Sequence, residues 1–230
     1  MTKPNFELFV NINEAIGKLK SFNFPNLKNL ISSSAQDFPE KVKQSLRVIG
    51  NSSNIMFINK KTTILTHSNS ECVKSLLLNV VKNQMKHVSV YFTCTEHICK
   101  DYLKKDKKFD DKFVEDLQRE HIQVTKIDLD NVKDVLNTID FVVIGTELVI
   151  DNGGIINKKG IKQLAELCTS NKKEFYEFYS YCTENTASEG RNLYEFLPHH
   201  FITLFYTDIG IFPPSAISYE LNKLYINDVN

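Results

Sequence analysis

From Thr62 onward, short apolar runs alternate with amphipathic segments. Ile64–Thr66, Val88–Thr93, Val124–Ile127 and Phe141–Ile144 read as strands, because brief apolar runs bounded by polar turns fit buried β-structure. Phe175–Tyr179 and Ile202–Tyr206 are further strand candidates. Between them, Cys72–Lys86 sets Val73, Leu76, Leu77, Val80 and Val81 at helical spacing. Phe109–Glu120, Ile161–Thr169 and Ser215–Leu224 also read as helices, with Val132–Asn137 a short one. Such alternation predicts an α/β fold, a parallel sheet with helices on both faces. Ligands of these sheets bind outside the carboxyl ends of the strands, near the point where strand order reverses. Here those ends carry the turns after Thr66 and Thr93 and the loop after Gly145.

Residues 1–61 follow a different pattern. Phe6, Phe9 and Val10 recur with Ile16 and Leu19, and Val42, Leu46 and Ile49 follow later. The spacing predicts two or three helices and no sheet. Pro39 suits the first position of a helix continuing through Glu40, and Asn51–Asn54 is a turn or a weak point in a longer helix. This region is too small to bury a core alone, so it must pack on residues 62–230 or on a partner.

Phe141–Gly160 is the segment richest in candidate chemistry. An apolar run stops at Gly145, a turn containing Gly153 and Gly154 follows, and Asn157 and Lys158 stand just before Gly160, where a helical pattern starts. Glycines let a backbone turn and approach a ligand closely. A helix N-terminus offers unpaired N–H groups to an anion, and Lys158 would add a mobile positive charge. The segment therefore reads either as a phosphate-handling pocket or as a plain strand-to-helix crossover.

Three ordered blocks carry a resemblance. They are Thr63–Ser70 (TILTHSNS), Gly145–Glu147 with Asn152–Lys158 (NGGIINK), and Thr207–Leu221 (TDIGIFPPSAISYEL). Together they resemble the superfamily of the regulatory subunits of translation initiation factor 2B and the related sugar-phosphate isomerases. The match runs from about Thr62 to Tyr225. It implies a Rossmann-like domain over 62–230 behind a small helical region over 1–61. Ile155–Lys158 and Pro214–Ser218 are similar to the alpha branch. That branch implies a non-catalytic regulatory subunit, a homodimer bridging two halves of an exchange complex with beta and delta subunits. It also implies contact with the phosphorylated alpha subunit of initiation factor 2.

The alternative within the superfamily is an isomerase acting on methylthioribose 1-phosphate or ribose 1,5-bisphosphate. Those enzymes carry a cysteine where Ser68 stands and an aspartate where Glu147 stands. Proton transfer between carbons needs a group that ionises near neutral pH and a carboxyl at a tuned distance. Serine lacks such an ionisation without a partner base, and moving a carboxylate by about 1 Å costs around 100-fold in rate. Cys94-Thr95-Glu96 stands where the superfamily has Glu, Ser or Thr, then Arg or Gln, so Glu96 is expected to repel a phosphate. Ser68, Glu147, Asn157 and Lys158 thus outline a vestigial sugar-phosphate pocket. No cofactor is expected, and a sugar phosphate or nucleotide is the ligand class the pocket would take. Phe205, Tyr206, Ile211 and Phe212 are the dimer-interface candidates, since aromatic anchors favour interfaces, with ordinary core the alternative reading for at least half of them. Two stretches are shorter than in the superfamily, the part before Thr62 and Tyr181–Pro198.

Composition narrows the partners. Lys plus Arg equals Asp plus Glu at 28 each, which argues against nucleic-acid binding through a basic field. Zero net charge suits a subunit kept in a complex. Cys72, Cys94, Cys99, Cys168 and Cys182 form no metal-ligand spacing. Cys72 and Cys168 fall on apolar helical faces as core thiols. An odd cysteine count, no secretion pattern at the N-terminus and no apolar stretch of membrane-span length point to the cytosol. No Walker-type phosphate loop occurs, so the chain is not expected to hydrolyse nucleotides. His67 follows a strand end as a base or as a cap toward Ser70. Lys104–Lys108, with Asp101, Asp110 and Asp111, reads as a solvated helix entry or a face for an acidic partner, and His199-His200 as a surface turn.

Overall fold

The computed structural model describes residues 24–52, 55–180 and 192–227. Among these, Phe24–Ser52 is one helix, α1, with Pro39 inside it. Pro39 therefore does not start a helix as its sequence context suggests. The helix continues through it despite the backbone donor that proline lacks. The periodic positions Phe6–Leu19 and Cys182 lie outside the described residues, as does Tyr181–Arg191 of the shortened segment.

A seven-stranded sheet forms the centre. Its strands are β1 (Lys61–His67), β2 (His87–Thr93), β3 (Gln123–Lys126), β4 (Phe141–Gly145), β7 (Phe175–Tyr179), β9 (Leu204–Thr207) and β10 (Gly210–Phe212), in the order β10-β9-β7-β4-β1-β2-β3. All neighbours run parallel except β9 and β10. Three short strands, β5 (Leu148–Val149), β6 (Ile155–Lys158) and β8 (Tyr194–Leu197), make an antiparallel sheet over one side. Every residue of β4 is buried, as a central parallel strand covered on both faces requires.

The alternation of side chains divides the core in two. On one face, Ile64, Val90, Phe92, Val143, Phe178 and Tyr206 meet α2 (Glu71–Gln84), α3 (Lys104–Arg119) and the buried Ile49 of α1. Rings of Phe57, Phe141, Tyr176, Tyr206 and Phe178 follow one another at centroid spacings of 4.9–5.7 Å. The other face holds Leu65, Val142, Ile144 and Phe205 under the short α4 (Val132–Val135), α5 (Ile161–Ser170) and α6 (Ile217–Asn227). Cys72 and Cys168 lie in these cores as expected. Helix α1 thus shares its core with the sheet. Among the described residues no helix is long and apolar enough to cross a membrane.

Chain order runs β1, β2, β3 on one side and then jumps to β4 on the other, so strand order reverses between β1 and β4. Two turns face each other at that point. Ser68 adopts a left-handed backbone (φ 59°), and Ser70 caps α2 by accepting from Val73 N–H at 3.3 Å. Gly145 ends β4 directly against this cap. A methyl group there would lie 2.0 Å from Ser70 Oγ and 2.6 Å from its Cβ. Gly145→Ala must therefore displace the cap, worth about 1 kcal/mol, and overpack the junction by about as much again. The expected fall in melting temperature is about 4–8 °C, read by thermal unfolding; an unchanged midpoint would show that the turn yields freely.

Candidate functional site at the strand ends

Beyond Gly145 the chain forms a hairpin of β5 and β6, where the sequence suggests a loop. Leu148 pairs with Ile156 and Val149 with Ile155, and Gly153 takes the left-handed turn conformation (φ 78°). Asn157 and Lys158 therefore stand on a strand. Asn157 is buried, its Nδ2 donating to Gly145 O at 2.6 Å and its Oδ1 accepting from Lys158 N–H at 2.8 Å. Glu147 is half-buried, and its amide donates to Ile156 O at 3.2 Å. The hairpin is thereby fastened to the end of β4.

Lys158 is not mobile. It is 6% exposed, and its Nζ lies 3.1 Å from Asn69 Oδ1 and 3.8 Å from Asp110 Oδ1. Asp110, 2% exposed on α3, accepts from Asn69 N–H at 2.9 Å and from the Tyr102 hydroxyl at 2.7 Å. Lys158, the Tyr102 hydroxyl and the Asn69 amide face this carboxyl as donors, which favours the charged form, while Asp106 on the same helix opposes it as a like charge. Burial pushes its pKa above the ordinary range, while Lys158, Tyr102 and the Asn69 amide pull it back. Burial, with Asp110 beside it, pushes the Tyr102 hydroxyl up. The solvated role expected of Asp110 is overturned: its side chain points inward from α3 with Asp106, Phe113, Val114 and Leu117.

The helix N-terminus at Gly160 is occupied as well. Glu195 of β8 accepts from Gly160 N–H at 2.8 Å and from Lys162 N–H at 3.0 Å through one oxygen. A carboxylate is favoured there for the reasons a phosphate would be.

His67 binds across the junction and does not reach toward Ser70. Its Nε2 lies 3.0 Å from Lys159 O, which only accepts, so this nitrogen carries the proton and Nδ1 faces the Thr93 hydroxyl at 2.9 Å. Thr95 Oγ1 donates to the same Lys159 carbonyl at 3.0 Å. Burial, reinforced by Lys158 and opposed by the Lys159 carbonyl, lowers the His67 pKa to about 4. The ring is neutral at neutral pH and offers an anion no charge. The Ser68 hydroxyl is buried without a hydrogen-bond partner among the described residues. Glu96 pairs with Lys107 at the surface, so Asp110 is the acid that faces Lys158. Burial pushes the Cys94 thiol up. No group of three His, Cys, Asp or Glu side chains among the described residues could hold a metal; His199 and His200 are exposed on a short 3-10 turn.

The four interface candidates divide. Phe205 and Tyr206 are buried in the two cores of this chain and are removed from the list. Ile211 and Phe212 are half-buried on the edge strand β10.

The model of the initiation factor 2 subunit family matches residues 5–186. The chain belongs to that family. Translation initiation factor eIF2B subunit alpha of Dictyostelium discoideum is 28% identical over 204 residues, 74% of this chain and 60% of the relative. The chain thus spans less than two thirds of that relative's length. Ribose 1,5-bisphosphate isomerase of Methanocaldococcus jannaschii is 24% identical over 236 residues, 90% of this chain and 72% of the relative. A solved tetrameric eIF2B-beta2-delta2 complex from C. thermophilum contains a chain of the same fold. Its TM-score is 0.68 at 12% identity, covering 92% of this chain and 71% of that one. The family member described here keeps the fold that the pattern of strands and helices predicts, and the family includes both translation-factor subunits and an isomerase.

Proposed function

We propose that the chain is an alpha-type, non-catalytic regulatory subunit of the exchange complex acting on initiation factor 2. In this reading it works in the cytoplasm, dimerises to bridge two halves of the complex and binds beta- and delta-type subunits. It also contacts the phosphorylated alpha subunit of initiation factor 2, so that exchange is turned down under stress. Membership of the family and the similarity to an alpha subunit support it. The observation that carries the non-catalytic part is the state of the strand-end site. Lys158 is committed to Asp110 and Asn69, His67 to Thr93 and Lys159, and Ser68 supplies a hydroxyl without a base. With these three side chains so placed, none of them forms a free acid–base pair of the kind that proton transfer needs.

Affinity purification of the tagged chain from its source cell tests the assembly role. Beta- and delta-type subunits are expected to co-purify in stoichiometric amounts; their absence would remove the reading. The similarity to the archaeal isomerase favours one competing activity. Incubation with methylthioribose 1-phosphate and ribose 1,5-bisphosphate is expected to give no turnover. Turnover that disappears in Lys158→Met would replace the regulatory reading with an enzymatic one.

A further inference from the structure

We propose that Asp110 and Glu195 act as internal anions that fill the two anion-attracting positions of the strand-end site, closing it to phosphorylated ligands. The junction then serves as a fixed brace between β1, the hairpin and α5, and the chain does not respond to phosphate-bearing metabolites.

Two independent features of the site attract negative charge, and each already faces a carboxylate from a distant part of the chain. The first is the Lys158 amino group, 3.8 Å from Asp110 and bonded to Asn69. The second is the pair of N–H groups at the start of α5, both donating to Glu195 Oε1. The carboxylates come from sequence positions 48 residues before Lys158 (158 minus 110) and 35 residues after Gly160 (195 minus 160), so neither arrangement is a local turn. A tethered group acts at an effective concentration of order millimolar or higher. Free phosphate at ordinary cellular levels must compete with that and also strip the Asp110 carboxylate of Lys158 inside a buried site. Leaving a buried charge unpaired in this way is strongly unfavourable. The Tyr102 hydroxyl holds Asp110 Oδ2, while the Asn69 N–H donates to Oδ1, the oxygen that faces Lys158; with both oxygens held, the carboxylate is fixed toward Lys158.

The test uses the full chain with inorganic phosphate and ribose 5-phosphate as probes. A ligand specific to the folded state raises its melting temperature by mass action. The unsubstituted protein is expected to show no rise at millimolar concentrations of either probe. Asp110→Asn combined with Glu195→Ala removes both internal anions and should gain a saturable rise, lost again when Lys158→Met is added. Glu195→Ala alone, at a half-buried position, should gain a smaller rise with phosphate. A rise in the unsubstituted protein that Lys158→Met abolishes would overturn the proposal, as would failure of a folded double variant to gain one. If the double variant does not fold, the Lys158 amino resonance of the unsubstituted protein decides. It should stay put during a phosphate titration, and a saturable movement would overturn the closed site. None of these measurements reads subunit assembly, so their failure and that of the assembly role are distinguishable.

Discussion

Glu177→Val is expected to stabilise the protein at neutral pH by about 2 kcal/mol, the order of the cost of a buried polar group left unpaired. For a chain of this length that is a rise in melting temperature of about 4–8 °C. Glu177 lies in the middle of β7, paired in register with Ile144 on one side and Phe205 on the other. It is 0% exposed, and neither carboxyl oxygen has a hydrogen-bond partner among the described residues. Burial alone pushes its pKa well above the usual carboxylate value. The sign of the pH dependence follows. Below the unfolded-state pKa of about 4.3 the group is protonated whether the chain is folded or not, and it contributes no pH dependence. As pH rises from there toward the raised folded-state value, the unfolded chain ionises first, and folded-state stability declines. Valine removes the titration and suits a central strand. Thermal unfolding from mildly acidic to mildly alkaline pH should show the two proteins diverging as pH rises, with the variant the more stable. A variant less stable than its parent at neutral pH would mean that Glu177 has a partner worth more than its burial costs.

That residue also marks what the sequence reveals and what it hides. FYEFY reads as a strand, and a glutamate on the same face as Phe175 and Tyr179, two residues either side, is visibly on an inward face of a sheet covered on both sides. The alternation of apolar runs and amphipathic segments was enough to place the parallel strands, because all but the exposed edge strand β3 carry buried apolar residues. The β5–β6 hairpin escaped because Asp151–Gly154 looks like an open loop and the strands beside it are short. Asp110 was legible in principle. Asp106, Asp110, Phe113, Val114 and Leu117 fall on one 3.6-residue stripe, but the lysines around the aspartates make the segment look solvated. Glu195 was not legible, since nothing near it in sequence announces that its carboxylate reaches the start of α5. Phe205 and Tyr206 could not be told from Ile211 and Phe212 by sequence: aromatic area suits a core and an interface alike, and only register assigns them to the two cores.

Exchanging apolar for charged residues at the β10 edge is expected to turn the proposed dimer into monomers. Among the described residues strand β10 pairs with β9 on one side only, and such an edge presents unpaired backbone groups, a ready template for another chain. Ile211 and Phe212 of β10 are half-buried, and Ile209 at the preceding turn is 46% exposed. Apolar and aromatic side chains at one sheet edge have the composition of an interface core, where charge is depleted. Burying an ammonium group in such a core without a partner is costly. Ile209→Lys with Ile211→Lys should therefore weaken self-association by about 100-fold, comparable to losing a central anchor. Sedimentation at micromolar concentration reads the outcome directly, as a drop from twice the chain mass to the 26.5 kDa of one chain. Ile58→Lys serves as the control, because Ile58 is 81% exposed in the irregular segment before β1, and it should leave the dimer intact. An unsubstituted chain that sediments as a monomer would remove the bridging role. A double variant that stays dimeric would move the interface away from β10 while leaving the bridge in place.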